Sequence, residues 1–552
     1  MKTIDPNNKL RFGLTESKWL HFLTVFLCLI PVLVYTWMIL KLSINAPFYD
    51  DFYWAFEYIN DYLKAATFRE KLAIIFEQFN QHRIIYAKLM MLGVFKFTGE
   101  VNFRTYTLIG NLSLYLTFLI YILYVIKNRL SVIALIPVAY LIFNLTFYHN
   151  SVLTYGLPNM SVILFALLSF YLVNRGVYSV AMFAGTLAAF SNGNGLIVLP
   201  IIAFLLLIKG ERKWFFWTVF STVIVVYIYF FNYAFDTNEI KLNQKTLLFF
   251  VNFLGGFYKA EKSSILQVLT GISIVTLISV CAWMSFKRKQ YSDFLLGSAL
   301  FILGSAAKAG LVRSQFIQSI PSWYNQYSLL MYITLCLALL ASFRNQKKIL
   351  LALWLGFLAV AGVTKVLSYK NNIANAFHLK SNLEADLMNY SNHGKWSLIT
   401  PQVGHKNYLR FNSITEDFIE SGIFKLRNPL VTPIDTHHID SFFHIDTLSN
   451  PYRSVLVKND IQVEGKDKSY YAALINNTNQ KTYFLGTFPR HGLGNILRFG
   501  KDQVHRPTMF ILNSYFFKEA IEAGEYSLGI LGQSQEKSIL FMSNQKVHVR
   551  NL

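Results

Sequence analysis

A chain that repeats apolar runs of about 20 residues has few ways to fold, because a run that long matches the hydrocarbon thickness of a bilayer. The first such run spans 19–40. In lipid every backbone N–H and C=O must find its partner within the segment or its neighbours, so the run must be a helix. About ten more apolar runs follow before residue 370, near 106–126, 130–147, 157–173, 177–190, 196–208, 215–231, 265–286, 294–307, 324–343 and 349–366, three of them short. The expectation is an α-helical polytopic membrane protein of about eleven spans over 19–369, after an N-terminal tail, 1–18.

Composition agrees. Of 552 residues, 54% are hydrophobic and only 15% charged, well under the roughly 25% charged residues of soluble proteins. The net charge of +21 does not imply nucleic acid as a partner, because Lys and Arg are scattered over loops instead of gathered on one domain. In a membrane protein such charge orients the chain and meets anionic lipid, so the lipid bilayer is the first expected partner. Cys28, Cys281 and Cys336 lie within apolar runs and read as small buried hydrophobes. The first run is longer than the apolar core of about 7–15 residues in a cleaved leader, so it reads as a retained helix.

Basic residues recur at alternate connections: Lys127 and Arg129; Arg175; Lys209, Arg212 and Lys213; Lys287, Arg288 and Lys289; Arg344, Lys347 and Lys348. If the N-terminus is cytoplasmic, these are the inside loops that the positive-inside rule makes basic. Lys241, Lys245, Lys259 and Lys262 fall on an outer loop and break the pattern locally. Residues 41–105 then lie outside, as does everything from 370 to 552.

The polar residues of interest collect on those outer connections. Phe48-Tyr49-Asp50-Asp51-Phe52-Tyr53-Trp54 sets two adjacent carboxylates in an aromatic collar just after the first span. Carboxylates at such a mouth serve chemistry or ion handling; the alternative is a solvated loop with aromatic interface anchors. The same loop carries Glu57, Asp61 and Phe79-Asn80-Gln81-His82-Arg83, then an apolar stretch at 84–97, which suits short interfacial helices or a re-entrant piece. Ser191-Asn192-Gly193-Asn194-Gly195 reads as a tight helical hairpin, since Asn-Gly pairs favour positive φ, or as a backbone site where a phosphate or sugar approaches closely. Arg313, followed by Trp323-Tyr324-Asn325-Gln326-Tyr327, is either an interface anchor or a bidentate phosphate ligand.

An acidic pair after the first span, an Asn80-x-His82-Arg83 element in a long outer loop, many spans and an outer C-terminal domain together resemble the class C membrane glycosyltransferases. The resemblance covers roughly 15–370. It implies a polyprenyl-phosphate sugar as donor and a cell-surface glycan or lipid-linked acceptor, with inverting or retaining transfer. Asp50 and Asp51 are then the catalytic candidates, because a general base must reach the acceptor hydroxyl. His82, Arg83 and Arg313 are candidates for the donor phosphate, although His82 and Arg83 also read as a pair capping a helix at the interface. Tyr53, Trp54, Asn80, Asn192, Asn194 and Tyr324 would line the substrate pocket. No cofactor is required. A divalent cation, Mg or Mn, held by Asp50 and Asp51 stays open, since two adjacent carboxylates repel and hard cations take oxygen ligands.

From about 370 the long apolar runs stop. Helical signal at 375–390 gives way, from about 450, to short alternating runs at 454–457, 470–475, 482–487, 508–512, 526–531 and 538–541, the pattern of an antiparallel β-sandwich or jelly roll. Asp435, His437, His438, Asp440, His444 and Asp446 crowd one stretch, but their spacing fits no zinc signature and reads as a solvated loop. The expected function is sugar transfer on the outer face of a bacterial cytoplasmic membrane, at a chain with a cytoplasmic N-terminus and an extracytoplasmic C-terminus. A polymerase or ligase of lipid-linked glycans and a lipid-linked sugar flippase are the alternatives. A flippase calls for acidic or basic groups inside the spans, and Asp and Glu are nearly absent there.

Overall fold

The computed structural model describes residues 18–235, 242–256, 265–288, 291–315, 320–343, 345–397 and 404–430, and beyond these 432, 434–439, 444–449, 453–461, 469–486, 508–511, 514–516, 521–522, 524–533 and 537–549. The N-terminal tail up to residue 17, Lys241, Lys259, Lys262, Lys289, Arg344 and Asp440 lie outside the described residues.

The chain is a mostly helical, multi-pass membrane protein with a small C-terminal sheet domain. Every apolar run of the sequence is a helix, and among the described residues eight helices are long and apolar enough to cross a bilayer: Lys18–Leu42, Phe103–Lys127, Gly156–Arg175, Arg212–Phe230, Ile265–Lys287, Asp293–Arg313, Ser322–Ser342 and Lys347–His393. The runs at 130–147, 177–190 and 196–208 form the shorter apolar helices Val132–Ile142, Tyr178–Ala189 and Gly193–Lys209. The eleven expected apolar segments are thus eight helices of spanning length and three shorter ones packed among them. Hydrophobicity marks these three for burial, and neighbouring helices can provide that as well as lipid does.

The connections separate to two ends. At one, Lys209 pairs with Asp293 at 2.9 Å and donates to the Val173 carbonyl, the Tyr124 hydroxyl meets Ser292, and Arg288 donates to the Ser342 carbonyl. These are the basic connections. At the other end, the Tyr49–Asp51 turn, the short helix Tyr148–Val152, the Asn192 turn and the start of the Asn325–Ser342 helix come together. Cys28, Cys281 and Cys336 are free and buried.

The connection after the first long helix, residues 41–105, is largely helical. A π-helix, Phe52–Glu57, follows the acidic pair directly and leads into Tyr58–Lys64. The helix Phe68–Phe76 starts at a capping box, in which Thr67 accepts from the Glu70 N–H and the Glu70 side chain reaches back. The apolar stretch after Arg83 is the helix Ile85–Thr98.

The helical signal at 375–390 is the C-terminal part of a single 47-residue helix, Lys347–His393. It ends at Gly394, whose φ of +65° a residue with a side chain adopts only under strain. The helix Gly404–Glu420 then turns back over the 41–105 connection. Phe411 stacks on Phe52 with ring centres 5.4 Å apart, Trp396 meets Phe52 at 5.6 Å, and Phe418 meets Phe56 at 5.5 Å. Arg410 ties the two segments by ion pairs to Glu57 (2.6 Å) and Asp61 (3.2 Å).

The sheet domain begins at Ile434, earlier than the expected 450. Its strands are β1 (Ile434–Ile439), β2 (His444–Ser449), β3 (Arg453–Ile461), β4 (Ser469–Asn476), β5 (Thr482–Gly486), β6 (Thr508–Ile511), β7 (Ser514–Phe516), β8 (Gly524–Gln533) and β9 (Ser538–Val549). One sheet runs β1-β9-β8-β4-β5 and a second β2-β3-β6, with β7 also on β3. All six alternating runs are strands. The wholly antiparallel expectation fails at one place, since β1 pairs parallel to β9. Of the His and Asp cluster read as a solvated loop, Asp435, His437 and His438 lie on β1 and His444 and Asp446 on β2. Tyr471, Ala473, Phe484, Leu531 and Leu540 face the long helix, packing with Ala385 and Met388. Asn389 on that helix exchanges two hydrogen bonds with the Phe484 backbone, at 2.9 and 2.7 Å.

Candidate functional site

Asp50 and Asp51 are neighbours in sequence with different surroundings. Asp51 is 1% exposed. It accepts hydrogen bonds from the Trp54 indole N–H (2.6 Å), the Phe48 backbone N–H (2.9 Å) and the Thr154 hydroxyl. Burial pushes its carboxyl up to about 7; the donors pull the other way and the Asp50 charge adds to the rise. Asp51 therefore binds its own segment to the connection that leads into the Gly156–Arg175 helix. Asp50 is half-buried, and burial raises its carboxyl above the usual range, opposed by the Tyr155 hydroxyl and by the charge of Arg313. The backbone makes this split. Tyr49 takes φ +46°, a left-handed conformation unusual for a tyrosine, and the π-helix follows at once, a form that recurs at functional sites.

A cation held jointly by the pair does not suit this arrangement, because Asp51 already directs its oxygens at two N–H groups and a hydroxyl. Among the described residues no group of three or more His, Cys, Asp or Glu is gathered for a metal.

Basic groups gather around Arg313, whose charge reaches Asp50. Arg313, at the end of its helix, is close enough to Asp50, His82 and Lys308 for its charge to act on all three. His82 is held at about 3 by burial and by the Lys308 and Arg313 charges, so it is neutral near pH 7. Its Nδ1 is buried without a hydrogen-bond partner among the described residues. Gly193 explains how the groups come so near. A Cβ there would lie 2.5 Å from His82 Nδ1, 2.8 Å from Lys308 Nζ and 3.2 Å from the Tyr229 hydroxyl. Gly193 is thus required for close approach, and the positive φ expected of the Asn-Gly turn is absent from it.

Arg83 is not part of this group. It is 5% exposed, and its guanidinium donates to the carbonyls of Phe76, Tyr229 and Phe231. It pins the 41–105 connection to the end of the Arg212–Phe230 helix. The expected pocket residues divide in the same way. Trp54 is buried against Phe79 and Tyr155. The Tyr53 hydroxyl accepts from Asn407 at 3.3 Å and its ring meets Phe411, so it faces the Gly404–Glu420 helix. Asn80 has φ +48° and gives its carbonyl to Gln78. The Asn192 amide donates to Asn159 at 2.7 Å, and that of Asn194 donates to Tyr327 (2.8 Å) and Ser305 (3.0 Å). Tyr324 packs on Phe253 and Trp323.

Thr154, Tyr155 and Lys308 belong to this constellation and were not singled out from the sequence. The polar run from His149 to Tyr155 between two apolar spans was the available signal for the first two. A lysine inside an apolar span was the signal for the third. Compared with family models, with curated proteins and with solved structures, the chain finds no match.

Proposed function

We propose that this protein is a membrane glycosyltransferase, taking a sugar from a polyprenyl-phosphate donor and passing it to a cell-surface glycan or lipid-linked acceptor. The observation that carries the reading is a half-buried carboxylate, Asp50, beside Arg313, whose charge also reaches Lys308; neither basic side chain has an ion-pair partner among the described residues. Asp50 takes the proton of the acceptor hydroxyl as its oxygen attacks the sugar's anomeric carbon. The bond from that carbon to the phosphate oxygen breaks, and the charge that grows on the departing lipid phosphate is met by Arg313 and Lys308. His82, neutral until an anion arrives, offers a ring nitrogen to the same group. Asp51, Thr154 and Arg83 hold the geometry and take no part in proton transfer. The basic connections would face the cytoplasm, placing the site, the sheet domain and the reaction on the outer face of a bacterial cytoplasmic membrane.

The test compares purified wild type with Asp50→Asn and Asp51→Asn, following sugar release from a panel of polyprenyl-phosphate sugars with cell-envelope glycan as acceptor. Loss of turnover in a folded Asp50→Asn protein supports the base. Full turnover in both variants sinks it. Donor binding by wild type without turnover on any donor would favour the flippase reading instead.

A further inference from the structure

Six rings form an arc past Asp50. Tyr49 lies flat on Phe48 with ring centres 3.9 Å apart. Phe48 meets Tyr155 edge-on at 6.3 Å, Tyr155 meets Trp323 at 6.5 Å, Trp323 meets His149 at 5.9 Å, and His149 lies 4.2 Å from Tyr148. All six are half-buried, as is Asp50. Residues from three separate connections are needed to build the arc, so it is a product of the tertiary fold and not of one aromatic stretch.

The arc is held firmly from behind by uncharged groups. His149 Nδ1 is 2.6 Å from the Ser322 hydroxyl. The Asn150 amide donates to the Trp323 carbonyl at 3.1 Å, Asn159 donates to Asn150 at 2.9 Å, and Asn192 donates to Asn159 at 2.7 Å. Burial holds His149 at about 4, so it is neutral near pH 7. Tyr49 has its strained positive φ here, where its ring is laid onto Phe48. Strain of this kind persists at sites that need a fixed geometry.

A pyranose ring presents an apolar C–H face and an edge of hydroxyls, which a row of aromatic faces and a single acceptor group would meet together. We infer that this arc is the acceptor subsite, and that it holds an uncharged sugar ring with one hydroxyl directed at Asp50. The rings themselves carry no charge, and Arg313, the cation whose charge reaches Asp50, is the one the transferase reading gives to the donor phosphate, so neither charge is left for a substituent of the acceptor ring. The inference rests on the transferase reading for the word acceptor; the binding itself does not.

The experiment is saturation-transfer NMR on the full-length protein in nanodiscs of phosphatidylethanolamine and phosphatidylglycerol. The probes are the methyl glycosides of glucose, galactose and mannose, methyl glucuronide, and methyl glucosaminide with its free amine. The neutral glycosides are expected to receive saturation at their ring C–H protons, and the charged ones not. Trp323→Leu and Tyr49→Gly should each weaken the neutral signal by about fivefold, the loss of one ring contact. Tyr49→Gly also removes the strained φ, so it keeps the test open if Trp323→Leu does not fold. Equal saturation of glucuronide, no saturation of any neutral glycoside, or an unchanged signal in the folded variants overturns the inference; the last would leave the rings as interface anchors for lipid headgroups. Asp50→Asn separates the two readings. Loss of transfer with ring saturation kept supports both. Saturation in a wild type that transfers from no lipid-phosphate donor would leave the sugar subsite standing and remove the transferase.

Discussion

The mouth of the bundle and the C-terminal sheet domain both hold charged groups, and they do so at opposite extremes of solvent access. At the mouth, Asp51, Arg83 and Lys88 are 1%, 5% and 3% exposed. Each is tied down: Asp51 by its donors, Arg83 by three carbonyls, and Lys88 by the carbonyls of Ile74 (2.8 Å) and Glu77 (3.0 Å). On the sheet, Lys481 pairs with Glu522 and Lys546 with Glu525, with side chains between 45% and 60% exposed. A buried charge without partners costs several kcal/mol, so the fold must supply them. An exposed pair is screened by water and contributes little. The contrast points to the exceptions. Lys308, Arg313 and the His82 Nδ1 sit at the mouth without such partners among the described residues, and a buried environment that leaves basic groups unpaired is prepared for an anion from outside.

The largest expected effect separates function from structure at the mouth. Asp50→Asn should lower turnover by about 10²–10⁴-fold, the usual worth of a general base, with the thermal melt unchanged. A fall in the melt comparable to that of Asp51→Asn would place Asp50 with the tied-down groups and break the comparison. Next, Arg83→Met should destabilise by about 3 kcal/mol, because it strands buried carbonyls that lose their donor. Denaturation of the purified protein would read this, and a loss below about 1 kcal/mol would mean that water reaches those carbonyls.

Asp51 gives a pH signature. Its carboxyl is raised to about 7 in the folded protein, so the folded state holds a proton that the unfolded chain releases near pH 4. The contribution of this group to stability is complete below about pH 4 and is lost as pH rises towards 7 and beyond. Melting temperatures of wild type should therefore decline from pH 5 to pH 8, while those of Asp51→Asn should start lower and vary less. Parallel profiles would show that another group governs the slope. The smallest effect belongs to the sheet. Glu522→Gln should change stability by less than about 1 kcal/mol, the range of an exposed pair. A larger loss in a chemical melt would mean that the two regions are less different than their exposure indicates.

Much of the fold was legible because it follows from local pattern. All the apolar runs are helices, since length and apolarity act within one segment. The six alternating runs are strands for the same reason. β1 was missed because its described residues are exposed on both faces, so no alternation marks them; its polar His437 and His438 made a loop of it. The three shorter apolar helices read in the sequence like the longer ones because burial by protein and burial by lipid call for the same residues.

The site was legible only as a place. The sequence by itself determined that acid, base and aromatic residues sit on alternate connections, because apolar segments long enough to cross a bilayer force their ends to opposite sides. It did not determine which carboxylate is committed and which is open. That depends on Thr154, which reaches Asp51 from 103 positions away. It likewise depends on Gly193, whose missing side chain lets His82 and Lys308 draw together. Such contacts are set by how helices pack, and packing compares surfaces that are distant in the chain, so no local pattern of residues encodes them. Only the tertiary structure divided Asp50 from Asp51, and Lys308 and Arg313 from Arg83.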